Sequence, residues 1–376
     1  MIKVLSVFGT RPEAIKMIPI IQELNKHQNV FDSKVCVTGQ HREILDQMLN
    51  VFEVGVDFDL DIMDKSHNLA SISANILSSL TSVFESFLPD YVLVHGDTST
   101  TFSAALAAFY SNIPVIHIEA GLRTYDLSSP WPEEGNRQLT RVISSLHMVP
   151  TIRAKENLLS EKVSEDCIFL TGNTVVDALF LALDKLEKKG NAEKRRDKFK
   201  YLENFKRMIL ITSHRRENQD GGMSNIGLAV KELAYGYPDV AFVLPLHPNP
   251  KVRDVFTDIL KSLPNVFLTE PVDYLSFVYL MNQSYFIMTD SGGIQEEAPA
   301  LNKPVLVMRN DTERPEAVEA GTAKLVGSSK NIIVAEAKIL LDDVSAYEKM
   351  CLAVNPYGDG TAAKKIVKAI KILEGL

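Results

Sequence analysis

Residues 284–297 read Ser284-Tyr285-Phe286-Ile287-Met288-Thr289-Asp290-Ser291-Gly292-Gly293-Ile294-Gln295-Glu296-Glu297. The run from Ser284 to Thr289 is short, apolar and strand-like. Ser291-Gly292-Gly293 then predicts a turn into a short helix carrying two carboxylates. Glycines at a helix start let a ligand approach the backbone, and the free N–H groups there favour an anion. A phosphate or diphosphate suits such a turn. A plain glycine turn with Ser291 as N-cap explains the stretch equally well when it is taken alone.

The same grammar recurs on both sides. Met208–Thr212 predicts a strand ending at Ser213-His214-Arg215-Arg216-Glu217-Asn218, and Val240–Leu244 one ending at Pro245-Leu246-His247. Val266–Leu268 and Pro304–Met308 follow the pattern, the latter leading to Arg309 and Thr312-Glu313-Arg314-Pro315-Glu316. In the first half, Val4–Phe8 runs into Gly9-Thr10-Arg11-Pro12 and then into Ile15, Ile18, Ile21 and Leu24 at helical spacing. Ser33–Thr38, Tyr91–Val94 and Val115–Ile118 are further strands, and Leu69–Leu88 is helical in pattern. Repeated βα units imply parallel sheets covered by helices, here in two similar α/β halves. The lysine- and arginine-rich segment Leu183–Arg207 predicts an inter-domain connection or an exposed helix.

Open α/β sheets bind ligands at the carboxyl ends of their strands. Arg11, Asp97 and Glu119 all fall there, so they form one candidate rim. Each alone is also explained as a surface charge, a helix cap or an internal ion pair. Ser129-Pro130-Trp131-Pro132 is a loop before a helix that starts near Glu133. Phe58-Asp59-Leu60-Asp61-Ile62-Met63 alternates, which predicts an extended run with Asp57, Asp59 and Asp61 on one solvated face. A calcium loop would need a glycine and a glutamate at spacings that are missing.

The 376 residues suffice for two domains, and 45% hydrophobic with 23% charged residues is a soluble, globular balance. The net charge of -8 gives no ground for a nucleic-acid partner, so an anionic ligand needs local cations. Cys36, Cys167 and Cys351 lie far apart without metal-like spacing, which favours a reducing compartment and buried thiols. The chain opens directly on a strand, with no signal-peptide pattern and no apolar run of about 20 residues, so a cytoplasmic protein without a membrane span is expected. Gly-x-Gly-x-x-Gly, the P-loop, His-Glu-x-x-His and Gly-x-Ser-x-Gly patterns are all missing, so no metal is expected. What remains is an anion cradle in the second half and acids in the first. His214, Arg215 and Arg314 supply cations, Ser291-Gly292-Gly293 supplies amides, and Glu297 suits a ribose diol.

Residues 8–16 (Phe-Gly-Thr-Arg-Pro-Glu-Ala-Ile-Lys), 95–98 (His-Gly-Asp-Thr), 119–124 (Glu-Ala-Gly-Leu-Arg-Thr) and 132–137 (Pro-Glu-Glu-Gly-Asn-Arg) are distinctive. So are 214–218 (His-Arg-Arg-Glu-Asn), 290–297 and 312–316. In this order they resemble the bacterial non-hydrolysing UDP-N-acetylglucosamine 2-epimerases, from residue 1 to about 370. The resemblance implies an α/β GT-B fold, with two Rossmann-like parallel-sheet domains facing a central cleft. We expect residues 1–170 plus 361–376 in the N-terminal domain, including a returning C-terminal helix, and 171–360 in the UDP-binding domain. It also implies a homodimer that interconverts UDP-N-acetylglucosamine and UDP-N-acetylmannosamine for a cell-envelope polysaccharide such as capsule or teichoic-acid linkage unit.

The implied route is elimination of UDP to 2-acetamidoglucal and re-addition with C2 protonated on the other face. It needs proton-transfer groups and a stabilised leaving diphosphate, but no redox cofactor. Carried over residue by residue, Asp97, Glu119 and Glu133 are the acid/base candidates, with His214 at the leaving group. Arg11, Lys16 and Arg137 contact diphosphate or sugar, although Lys16 also has the spacing for an ion pair with Glu13. Arg215, Ser291, Gly292, Gly293, Glu297 and Arg314 look like the UDP cradle, with Phe277 near the uracil. Some members bind substrate at a second, activating site, for which Gln40, His41 and Glu43 are candidates. Alternatives are a hydrolysing relative that releases UDP and N-acetylmannosamine, a GT-B glycosyltransferase, and a nucleotide-sugar sensor.

Overall fold

The computed structural model describes residues 1–39, 42–62, 68–188, 190–215, 218 and 221–376, with the backbone alone for 42–44. The chain divides into two compact units, Met1–Ala178 with Tyr357–Leu376, and Leu179–Pro356.

Unit 1 holds a parallel sheet of β1 (Ile2–Phe8), β2 (Phe31–Val37), β3 (Phe58–Asp59), β4 (Tyr91–His95), β5 (Val115–Ile118), β6 (Leu146–Val149) and β7 (Ile168–Leu170). The spatial order is β3-β2-β1-β4-β5-β6-β7. Its helices are α1 (Arg11–Asn25), α2 (Arg42–Phe52), α3 (Leu69–Phe87), α4 (Ser99–Tyr110), α5 (Glu133–Ile143) and α6 (Ile152–Ser160). Then α7 (Thr174–Glu187) crosses the division between the units. Strand alternation gives the sheet two apolar faces. Leu5, Val7, Val92, Val94 and Val115 pack with Leu80 and Phe84 of α3 and the small Ala104, Ala105 and Ala108 of α4. Helix α1 starts with a Thr10/Glu13 capping box.

Unit 2 follows with α8 (Asn191–Lys198), β8 (Arg207–Thr212), α9 (Gly222–Gly236), β9 (Val240–Pro245), α10 (Pro250–Leu260), β10 (Val266–Thr269), α11 (Tyr274–Gln283) and β11 (Phe286–Thr289). It continues with α12 (Gly292–Glu297), β12 (Val305–Val307), α13 (Pro315–Glu319), β13 (Ala323–Leu325), α14 (Lys330–Asp342) and α15 (Val344–Cys351). The parallel order is β10-β9-β8-β11-β12-β13, the doubly wound arrangement. Ile209, Ile211, Phe242, Leu244, Phe286 and Met288 share one core with α9, α10 and α14. The last helix, α16 (Ala362–Leu373), packs on α1 in unit 1, where Ala362 and Ala363 donate their amides to Asp177 at 3.1 and 2.9 Å.

Two departures from expectation stand out. Of the expected run 58–63, strand pairing among the described residues is confined to Phe58–Asp59, because Asp61 takes φ 45°, a left-handed conformation that breaks the alternation. Asp57 instead pairs with Lys34 at 2.8 Å. The short strands β6, β7 and β13 lacked a long apolar run, and their pairing comes from their sheet neighbours. The charged segment 183–207 agrees with the expected exposed helix, since it contains the end of α7 and the whole of α8, which has no buried residue. Cys36 is buried, while Cys167 and Cys351 are half-buried free thiols. Among the described residues no helix is long and apolar enough to cross a membrane.

Candidate active site

In each sheet the strand order reverses direction between two central neighbours, β1 and β4 in unit 1 and β8 and β11 in unit 2. Loops leaving such a pair diverge and open a crevice at their carboxyl ends.

In unit 1 the β1 loop is Gly9-Thr10-Arg11. A Cβ on Gly9 would lie 2.1 Å from Thr38 Oγ1 and 2.7 Å from Thr100 Oγ1, so only glycine fits this approach. Glu13 is 2% exposed and braces both loops of the crevice. It accepts from the Gly9 and Thr10 amides at 3.1 and 2.8 Å and from the Thr98 hydroxyl at 2.7 Å. Lys16, one turn into α1, pairs with Glu119 across 103 positions of sequence. Glu119 follows β5 with φ 60°, a strained backbone for a non-glycine residue. The same Glu119 oxygen accepts from Asn173 Nδ2 at 2.9 Å. Asp97 follows β4 and is held by Arg137, with Nε at 2.9 Å and Nη2 at 2.7 Å from Oδ2.

Arg137 also reaches Glu134 at 3.1 Å. Burial pushes the Glu134 carboxyl upward, but donors from Gln138, the Thr124 amide, Arg137 and the Tyr125 amide outweigh it and hold the group below its ordinary value. Glu133 is the first residue of α5 and is partly exposed, and neither it nor the exposed Arg11 has a side-chain partner among the described residues. Unit 1 therefore gathers Arg11, Asp97 and Glu119 on one rim, with Lys16 and Arg137 bound to the two acids. Gln40 and His41, and the side chain of Glu43, lie outside the described residues.

In unit 2 the crevice is organised by Asp290, which is fully buried. It accepts from Ser213 Oγ at 2.9 Å, the His214 amide at 2.9 Å, the Arg215 amide at 3.0 Å and Asn218 Nδ2 at 3.1 Å. One carboxylate thus fixes the β8 loop that carries His214 and Arg215. Burial lowers the His214 pKa, with Arg215 and His247 adding to the shift and Asp290 opposing it, which favours the neutral imidazole. Its ring stacks on His247 at 5.5 Å.

Ser291 occupies the N-cap position of α12, yet its hydroxyl makes no capping bond. A Cβ on Gly293 would meet no atom of the described residues within 4 Å, and one on Gly292 would stand 3.8 Å from both Arg215 Nη2 and Glu313 Oε2. Arg314 pairs with the buried Glu296, and Glu297 takes the Tyr274 hydroxyl at 3.4 Å. Phe277 is half-buried on α11, the helix that carries Tyr274. Asp290, Glu134 and Asn173 were absent from the sequence-based set of site residues. Their signal was a polar residue inside a glycine-rich or loop motif, but the role of each depends on partners distant in sequence or brought close by folding.

The comparisons with known proteins agree on one family. The family model described as UDP-N-acetylglucosamine 2-epimerase matches residues 22–371. A protein named UDP-N-acetylglucosamine 2-epimerase from Neisseria meningitidis is 57% identical, over 98% of this chain and 99% of its own. The Escherichia coli K12 protein of that name is 51% identical, over 98% of each chain. The crystal structure of the Neisseria meningitidis enzyme bound to UDP-GlcNAc matches with a TM-score of 0.90, covering 98% of this chain and 99% of that one. A glycosyltransferase from Rickettsia africae, 14% identical with a TM-score of 0.64, covers 99% of this chain and 98% of its own and shares the fold alone. The two parallel-sheet units form a GT-B-like fold, and the chain belongs to the UDP-N-acetylglucosamine 2-epimerase family.

Proposed function

We propose that this chain interconverts UDP-N-acetylglucosamine and UDP-N-acetylmannosamine without net hydrolysis. The observation that carries the reading is the pairing of two rim acids with two cations, Glu119 with Lys16 and Asp97 with Arg137. The C2 proton has no neighbouring carbonyl, so it becomes removable only as the C1–O bond breaks and positive charge grows at C1. A carboxylate takes that proton while the bonding pair leaves on the UDP phosphate, giving UDP and 2-acetamidoglucal. Delivery of a proton to the opposite face of C2, with phosphate oxygen returning to C1, completes the inversion. General acid–base groups contribute about 10²–10⁴-fold to such steps.

Asp97, Glu119 and Glu133 carry the proton transfers. Arg11, Lys16, Arg137 and His214 stabilise the anionic leaving group. Arg215, Ser291, Gly292, Gly293 and Arg314 take the diphosphate, Glu297 the ribose and Phe277 the uracil. The reading extends to a homodimer in the cytoplasm that supplies a cell-envelope polysaccharide pathway, as the resemblance implies.

Incubation with UDP-N-acetylglucosamine in deuterated water, followed by NMR, tests it. Deuterium at C2 and UDP-N-acetylmannosamine are expected. Free N-acetylmannosamine would identify a hydrolase instead, and no exchange would identify a transferase or a sensor.

A further inference from the structure

His95 ends β4, immediately before the turn that carries Asp97, and its side chain is 5% exposed. Among the described residues neither ring nitrogen has a hydrogen-bond partner. Buried polar groups are nearly always satisfied, so an orphaned imidazole at a rim of acids calls for a reason. Its Nε2 stands 3.8 Å from Glu119 Oε2. That oxygen already takes the Lys16 ammonium and Asn173 Nδ2. A carboxylate oxygen offers two lone-pair sites, which leaves the third donor out. In contrast, His117 on the next strand has its Nε2 committed to the Gly96 carbonyl at 2.7 Å.

We propose that His95 is a positioning residue for Glu119. When Lys16 turns towards an anionic substrate, the His95 Nε2–H moves onto the vacated Oε2. A ring movement of about 0.9 Å brings it to hydrogen-bond distance. Oε2 then has Asn173 and His95 as donors, and the carboxylate holds its aim while Lys16 serves the departing phosphate. This inference rests on the proposed function, which gives Lys16 an anion to turn to.

The test pairs kinetics with a ring signal. His95→Gln keeps an amide donor at the reach of Nε2, while His95→Phe keeps the bulk and removes the donor. The Phe variant should lose about 10- to 100-fold in kcat, the worth of a hydrogen bond to a charged group. KM should stay within about twofold, and the Gln variant should recover most of kcat. Wild-type kcat in a folded His95→Phe protein, or a loss confined to KM, would overturn the inference.

Should the variants fail to fold, imidazole NMR of the wild type decides. Saturating UDP should move the His95 Nε2–H signal to a hydrogen-bonded position, and an unmoved signal counts against the inference. A wild type that makes no UDP-N-acetylmannosamine would sink the functional reading alone, and the ring signal still decides on His95.

Discussion

Arg137 places Nη2 2.7 Å from Asp97 Oδ2 and Nη1 3.1 Å from Glu134 Oε2, so one guanidinium ties a rim acid to a fully buried one. Arg137→Gln should therefore reduce both activity and stability. Glu134 keeps its donors from Gln138, Thr124 and Tyr125, so the stability loss should stay at about 1–3 kcal/mol. Turnover should fall at least about tenfold as Asp97 loses its orientation. Thermal unfolding and steady-state rates on the same preparation check the pair of effects, and an unchanged kcat would separate Arg137 from the chemistry.

Asp97→Asn, Glu119→Gln and Glu133→Gln each remove a carboxylate to which we assign proton transfer, with little change in shape. Turnover should drop by about 10²–10⁴-fold in each, while UDP binding measured by calorimetry stays close to wild type. Near-normal turnover in any one of them would remove that residue from its role.

Asp290 lies in the opposite case, because it touches the site only through the loop it holds. Asp290→Ala strips four donors of their buried acceptor: Ser213, the His214 and Arg215 amides, and Asn218. We expect a stability loss of at least about 3 kcal/mol and weakened UDP affinity, since each orphaned buried donor costs about 1–3 kcal/mol. Retained UDP affinity in a folded variant would show that the loop does not depend on this anchor.

Two histidines make unit 1 sensitive to acid. Burial lowers His117 to about 3 despite its bond to the Gly96 carbonyl, and burial with Arg123 and Arg141 lowers His147 to about 4, against an ordinary 6.5. Between those values the unfolded chain binds protons that the folded one refuses. Stability is then fully present above 6.5 and is lost as pH falls, by about 1.4 kcal/mol per pH unit for each histidine. His147→Phe should flatten that slope in urea unfolding of unit 1 measured from about pH 7 to pH 5. An unaltered slope would place the titration elsewhere.

The sequence by itself determined the strand–turn–helix units and which residues sit at strand ends. Buried parallel strands are continuous apolar runs, as in Val4–Phe8 and Met208–Thr212, and Gly9 and Gly292-Gly293 mark turns that local chemistry imposes. Arg11, Asp97, Glu119, His214 and Ser291 could thus be placed on rims before any contact was known. Tertiary structure alone decided the partnerships. Lys16 meets Glu119 across 103 positions, Asn173 meets it across 54, and Ser213 meets Asp290 across 77. Local propensity acts over a few residues, whereas these pairs form only when strand order and register bring side chains within about 3 Å, the range over which a hydrogen bond has strength. The short strands β6 and β13 and the left-handed Asp61 belong to the same class, because neighbouring strands and backbone geometry set them, not their own composition.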